Sequence, residues 1–139
     1  MKWEEFESQA PELVALARME FERSTMMLVG TVRKDGSPRI SCVLPSILHG
    51  GLYLGMMWQS RKAVDLLRDP RLVLHNTMST NRGDEVEISI YGRAADVREA
   101  TVRQRYLAAA PEWQGRDSIS SQSTSRAPAS FSTRMGYST

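Results

Sequence analysis

The chain has 139 residues, 41% hydrophobic and 24% charged, with a formal net charge of +2, which fits one globular domain with a small core. The cationic excess lies in the tail, where Arg116, Arg126 and Arg134 meet only Asp117. The remainder is charge-balanced and carries no footprint for nucleic acid. A single cysteine, Cys42, excludes an intrachain disulfide and a cysteine-built zinc site, and no apolar run is long enough to cross a bilayer.

The acidic start, Met1 to Glu7, lacks the apolar stretch of a signal peptide, so a reducing cytoplasm is the expected compartment. A helix follows, with Pro11 and Glu12 in its first turn and Leu13, Leu16, Ala17 and Phe21 as its apolar stripe. Ser24 and Thr25 mark the change to extended chain. Residues 25–32 predict a strand, 33–38 a turn, 39–44 a second strand limited by Pro45, His49-Gly50-Gly51 another turn, and 52–57 a third strand. Short turns between consecutive strands imply antiparallel pairing.

Ser60-Arg61-Lys62 then opens a short helix whose stripe is Ala63, Val64, Leu66 and Leu67, and Asp69-Pro70 stops it. Strand 71–76, a polar loop at 79–84 and the alternating strand 85–91 follow. Gly92 suggests a bulge or a close backbone approach, and 101–110 is helical up to Pro111. From Gln114 to Thr139 serine and threonine dominate, and this segment is expected to be disordered. The domain plan is therefore 1–113 as a barrel domain and 114–139 as a tail. The fold expected is mostly β with short helices: about five strands and three helices, curled into a small antiparallel barrel.

Ser60, Arg61 and Lys62 are the most chemically suggestive residues. They stand where a strand passes into a helix N-terminus, whose free N–H groups and dipole favour an anion. A hydroxyl and two cations add charge-assisted donors, so a phosphate is the simplest ligand. The alternative use of these residues is a solvated helix start.

Three stretches together resemble the FMN-binding split barrel of pyridoxamine 5'-phosphate oxidases and their relatives. They are Gly30-Thr31-Val32-Arg33-Lys34-Asp35-Gly36-Ser37-Pro38-Arg39, then Ser60-Arg61-Lys62 with Asp69-Pro70-Arg71, and Tyr91-Gly92-Arg93-Ala94. The resemblance implies a homodimer with the cofactor in a groove at its interface. It assigns Arg39, Ser60, Arg61 and Lys62 to the phosphate. Ile40, Ser41, Cys42 and Val43 would run beside the ring or its ribityl chain, and Met56, Met57 and Trp58 would line the same groove. The cofactor implied is FMN or the deazaflavin coenzyme F-420, since both carry a phosphate; haem, bound by some relatives, has no recognisable motif at His49 or His75.

The Arg-x-His pair that the oxidase proper carries near its C-terminus is missing, since His75 is the last histidine, and the tail offers no candidate for the family's late strand. Other uses of the same residues compete. Met56, Met57 and Trp58 serve equally as core or dimer packing. Cys42 reads as a buried small hydrophobe, His49 as a turn residue and His75 as structural. The expected activity is hydride transfer between the cofactor and a small organic substrate, with no side-chain acid or base identified. The alternatives are a carrier that binds the cofactor without turnover, and an interaction module with an empty groove.

Overall fold

A computed structural model describes residues 3–24, 26–57, 59–78, 86–97, 99–109 and 129–135. In chain order these form α1 (Trp3–Gln9), α2 (Pro11–Arg23), β1 (Met27–Val32), β2 (Pro38–Leu48), β3 (Gly51–Met56), α3 (Arg61–Arg68), β4 (Arg71–Asn76), β5 (Ser89–Asp96), α4 (Ala100–Ala109) and β6 (Ala129–Met135). The strands close into an antiparallel barrel in the order β1-β2-β3-β6-β5-β4, with β4 returning to β1. The fold is a curled antiparallel sheet with helices packed round it, as expected, and the helices carry nearly as many residues as the strands.

The alternation of strand side chains builds the core. Met27 and Val29 of β1, Val43 of β2, Leu52, Leu54 and Met56 of β3, and Leu72 and Leu74 of β4 point into the barrel and are buried. Each large side chain fully withdrawn from water contributes about 1.5–3 kcal/mol. The helices close the two ends. α2 leads into the start of β1, and α1 lies against the β2–β3 hairpin, where the Glu4 N–H donates to the Gly50 carbonyl. Trp3 is wholly buried there, edge-on to Phe6 with ring centroids 5.6 Å apart. At this end Asn76 acts as a ladder substitute: its amide donates to the Val86 carbonyl at 2.6 Å and accepts from the Ile88 N–H at 2.9 Å. α3 closes the opposite end, burying Ala63 and Leu66.

Several expectations are corrected. Residues 129–135 form β6, which bridges β3 and β5, where the serine-rich composition predicted disorder. Backbone ladders on both sides fix this strand, and they need no apolar pattern of its own; the rest of the tail lies outside the described residues. β2 runs past Pro45 to Leu48. The missing N–H is tolerated because the ladder with β1 has ended at Val43, leaving β3 as the neighbour. β5 begins at Ser89 rather than 85, and Gly92 sits in unbroken register between Leu72 and Met135, with no bulge. Leu13 is 40% exposed, because α2 turns Val14 and Ala17 to the core instead. α1 is a separate helix that the acidic start did not suggest. The turn at His49-Gly50 is a two-residue hairpin loop with φ of 48° and 73°, the left-handed pair that the strand twist favours.

Candidate functional site

The strand-to-helix corner is built by the short link between β3 and α3. Gln59 takes a left-handed conformation, φ 58°, and the Ser60 N–H donates back to the Met57 carbonyl at 3.1 Å. A non-glycine residue held there costs about 1 kcal/mol or more, and such positions cluster at binding sites. Ser60 is the N-cap in extended conformation, and its carbonyl accepts the first helical bond from Val64 at 3.0 Å. The N–H groups of Arg61, Lys62 and Ala63 therefore precede the helical ladder and have no partner within it. A serine at this position ordinarily caps its own helix. Here the hydroxyl makes no capping bond, and its Oγ is buried without a hydrogen-bond partner among the described residues. An unpaired buried hydroxyl costs about 1–3 kcal/mol. Arg61 is exposed, and neither it nor Lys62 belongs to an ion pair among the described residues.

Below this corner lies an interaction that the sequence did not announce. Asp65, with its side chain only 5% exposed, accepts from Arg39 Nε at 2.6 Å, from Thr31 Oγ1 at 3.0 Å and from Arg68 Nη2 at 3.4 Å. Arg68 also donates to the Val32 carbonyl. The carboxylate thus ties α3 to β1 and β2. About 7.5 Å of helix rise separates Ser60 from Asp65, and Arg39 is held at the Asp65 level of the helix. Burial opposes ionisation of Asp65. The hydrogen bonds from Arg39 and Thr31, the charge of Arg39 and the bond from Arg68 outweigh it and hold the pKa below the ordinary 3.8. One clue was available: Asp65 is the only carboxylate in a helix that also carries Arg61, Lys62 and Arg68. Its long-range partners were not legible locally.

The other expected site residues separate into groups. Met57 is 64% exposed beside the corner. Ile40 is 72% exposed on the exterior face of β2, whereas Arg39 and Ser41 alternate to the interior side. One flat ring therefore cannot rest on the side chains of Ile40 and Arg39 together. Val43 and Met56 are 2% and 1% exposed in the core, so their side chains are packing rather than groove wall. Trp58 lies outside the described residues. Cys42 is exposed, not buried, because it shares the outward face of β2 with Ile40. Ile40, Gly30, Val73 and Tyr91 stand in one row across β2, β1, β4 and β5. Tyr91 is 58% exposed, and Gly30 leaves room for the Val73 side chain, which would sit 2.7 Å from an added Cβ.

His75 is otherwise engaged. His75 Nδ1 lies 2.6 Å from the Asn76 carbonyl and Nε2 lies 3.1 Å from Glu87 Oε1. Both acceptors favour a protonated ring. The Glu87 bond foremost, then the Asn76 bond, raises the pKa above 6.5 against the opposing effect of burial. Among the described residues no cluster of histidine, cysteine, aspartate or glutamate could hold a metal ion. No helix of the described residues is long and apolar enough to cross a membrane. A cavity of about 50 Å³ lies between the β2–β3 hairpin and α4, lined by Leu48, His49, Tyr53, Val102 and Arg105. An open depression of about 600 Å³ covers the α1–α2 junction. Both lie away from Ser60, at the α1–α2 junction and the β2–β3 hairpin.

Charge is sorted along the barrel axis. Glu4, Glu5, Glu7, Glu12, Glu20 and Glu22 outweigh Arg18 and Arg23 in α1 and α2. Around α3 and the β1–β2 turn, Arg33, Lys34, Arg39, Arg61, Lys62 and Arg68 outweigh Asp35 and Asp65. Such a field draws small anions to the α3 end.

The Asp65 pKa gives a pH prediction. Its folded value is depressed, so its stabilisation is fully present above the unfolded value of 3.8 and is lost as pH falls through the folded value. Asp65→Asn is expected to lower stability by about 3 kcal/mol at pH 7, as for a broken buried pair. The gap from the parent protein should narrow below about pH 4 in urea titrations. An equal gap at pH 7 and pH 3 would refute the ionised pairing.

Comparison with known proteins fits this architecture. The sequence profile of the pyridoxamine 5'-phosphate oxidase family matches residues 13–133. No curated protein matches the chain. Among solved structures, a protein from Listeria innocua assigned as a pyridoxamine 5'-phosphate oxidase superposes with a TM-score of 0.69 at 15% identity, covering 91% of this chain and 95% of its own. A haem storage protein from Vibrio cholerae gives 0.68 at 16% identity, covering 99% and 93%. An F-420 reductase gives 0.59 at 15% identity, covering 86% and 93%. At such identities these structures share a fold with the chain and nothing finer. The profile match, spanning most of the sequence, and the closed antiparallel barrel together place the chain in the pyridoxamine 5'-phosphate oxidase-like family of split-barrel proteins.

Proposed function

We propose that this protein binds a phosphate-bearing ring cofactor, FMN or the deazaflavin F-420, and acts as an oxidoreductase on a small organic substrate. The observation that carries the reading is the Ser60 corner: a buried, unpartnered hydroxyl beside free helix N–H groups and two cations outside any described ion pair. These donors fit a phosphate dianion. Ser60 Oγ and the N–H groups of Arg61 and Lys62 would donate to it, while the Arg61, Lys62 and Arg39 side chains neutralise it. The bound ring would supply hydride transfer; the protein binds, orients and shields it.

In the row Ile40, Gly30, Val73 and Tyr91, the two end residues are exposed and flank half-buried Gly30 and Val73. We read this face as the surface on which a second copy docks, walling the groove and giving the ring its apolar side. A carrier that holds the cofactor without turnover is the second reading. The likeness to a haem storage protein over 99% of this chain favours it, since that fold serves storage as well as reduction. Haem ligation through His75 would require breaking its contact to Asn76 or to Glu87.

Arg61→Ala combined with Lys62→Ala should weaken FMN or F-420 binding about a hundredfold, as expected for loss of two charge-assisted contacts. Fluorescence titration measures this, and unchanged affinity would remove the corner from the site. Ile40→Glu should convert a dimer to a monomer in light scattering; a parent protein that is already monomeric would contradict the docking surface. Reduction of an added acceptor by the loaded protein separates enzyme from carrier.

A further inference from the structure

Asp65 is an unexpected neighbour for a phosphate site. It is a buried anion about a turn and a half of helix from the proposed phosphate. By charge alone it would repel that ligand. Its bonds suggest a different use. Arg39 gives Asp65 its Nε–H, at 2.6 Å, and its Nη1 and Nη2 groups have no partner among the described residues. Thr31 and Arg68 hold the carboxylate from two further sides, at 3.0 and 3.4 Å, so it is fixed relative to both β1 and α3. A guanidinium gripped at Nε keeps its remaining donors in one plane and loses little further freedom on binding an anion.

We propose that Asp65 is a positioning residue of the anion site: it holds Arg39 by the Nε edge so that the Nη donors stay available to the cofactor phosphate. The inference rests on the cofactor reading above. It assigns a role to a residue that touches neither phosphate nor ring, and it adds Thr31 of β1 to the support of a site carried by β2 and α3.

Charge and positioning predict opposite signs. Removing a nearby anion should tighten phosphate binding if Coulomb repulsion were all that mattered. Removing an orienting partner should weaken it. Asp65→Asn in the full chain should therefore bind FMN about tenfold more weakly, the loss expected for one hydrogen bond to a charged group. Riboflavin, which lacks the phosphate, should bind Asp65→Asn and the parent equally. The FMN effect should vanish in an Arg39→Gln background, because the coupling runs through that side chain.

Unchanged or tighter FMN binding would overturn the proposal. So would an equal loss for riboflavin, or a loss that persists in Arg39→Gln, since each marks general structural damage. If Asp65→Asn does not fold, Thr31→Val removes one bond to the carboxylate and no charge. It should produce a smaller loss, again confined to the phosphate-bearing ligand, and a loss shared with riboflavin refutes positioning. If the parent prefers F-420, the same comparison uses F-420 against its phosphate-free deazaflavin. A parent protein that binds neither cofactor overturns the cofactor reading and this inference together; a parent that binds while Asp65→Asn binds equally well overturns the inference alone.

Discussion

One buried carboxylate organises the cationic end of this barrel. Asp65 collects a hydroxyl from β1, a guanidinium from β2 and a second guanidinium from its own helix. Arginine side chains crowded at the end of a small core would repel one another and lose hydration. A carboxylate bound on three sides offsets both costs, and it locks α3 onto the end of β1. The Ser60 corner, which is the first turn of that helix, inherits its position from this lock.

The near-neutral charge balance of the barrel conceals a separation. Carboxylates gather on α1 and α2 at one end, and cations gather on α3 and the β1–β2 turn at the other. The arrangement follows from connectivity: an antiparallel barrel returns the chain to the same end every second strand, so segments far apart in sequence share one rim. The separation favours a small anionic ligand at the α3 end. It also explains why total charge was a poor guide to the kind of partner. Closure of the sheet depends on β6, which meets β3 on one side and β5 on the other, leaving no free strand edge in the barrel.

Much of this architecture was legible because it is encoded locally. The turns at Asp35-Gly36 and His49-Gly50, the helix start at Pro11 and the stop at Asp69-Pro70 depend on the dihedral limits of the residues themselves. The Ser60 corner was legible for the same reason, and three separated stretches were enough to suggest the family. What composition could not show was fixed by distant partners. β6 has the composition of a disordered tail and is ordered by its ladders. Asp65 looks like an ordinary exposed helix residue until Thr31 and Arg39 arrive from elsewhere in the chain. Cys42 and Val43 differ in burial only because strand alternation sends one outward and the other into the core. Met56, placed beside the cofactor on sequence grounds, proved to be core for the same reason.

We propose above that the α3 end of this barrel holds the phosphate of a ring cofactor. The most direct test is the visible absorption spectrum of freshly purified protein, followed by titration with FMN and then F-420. The expected result is a two-band flavin spectrum or the single shorter-wavelength deazaflavin band, with saturable, stoichiometric binding of one of the two. A colourless protein that quenches the fluorescence of neither would contradict it.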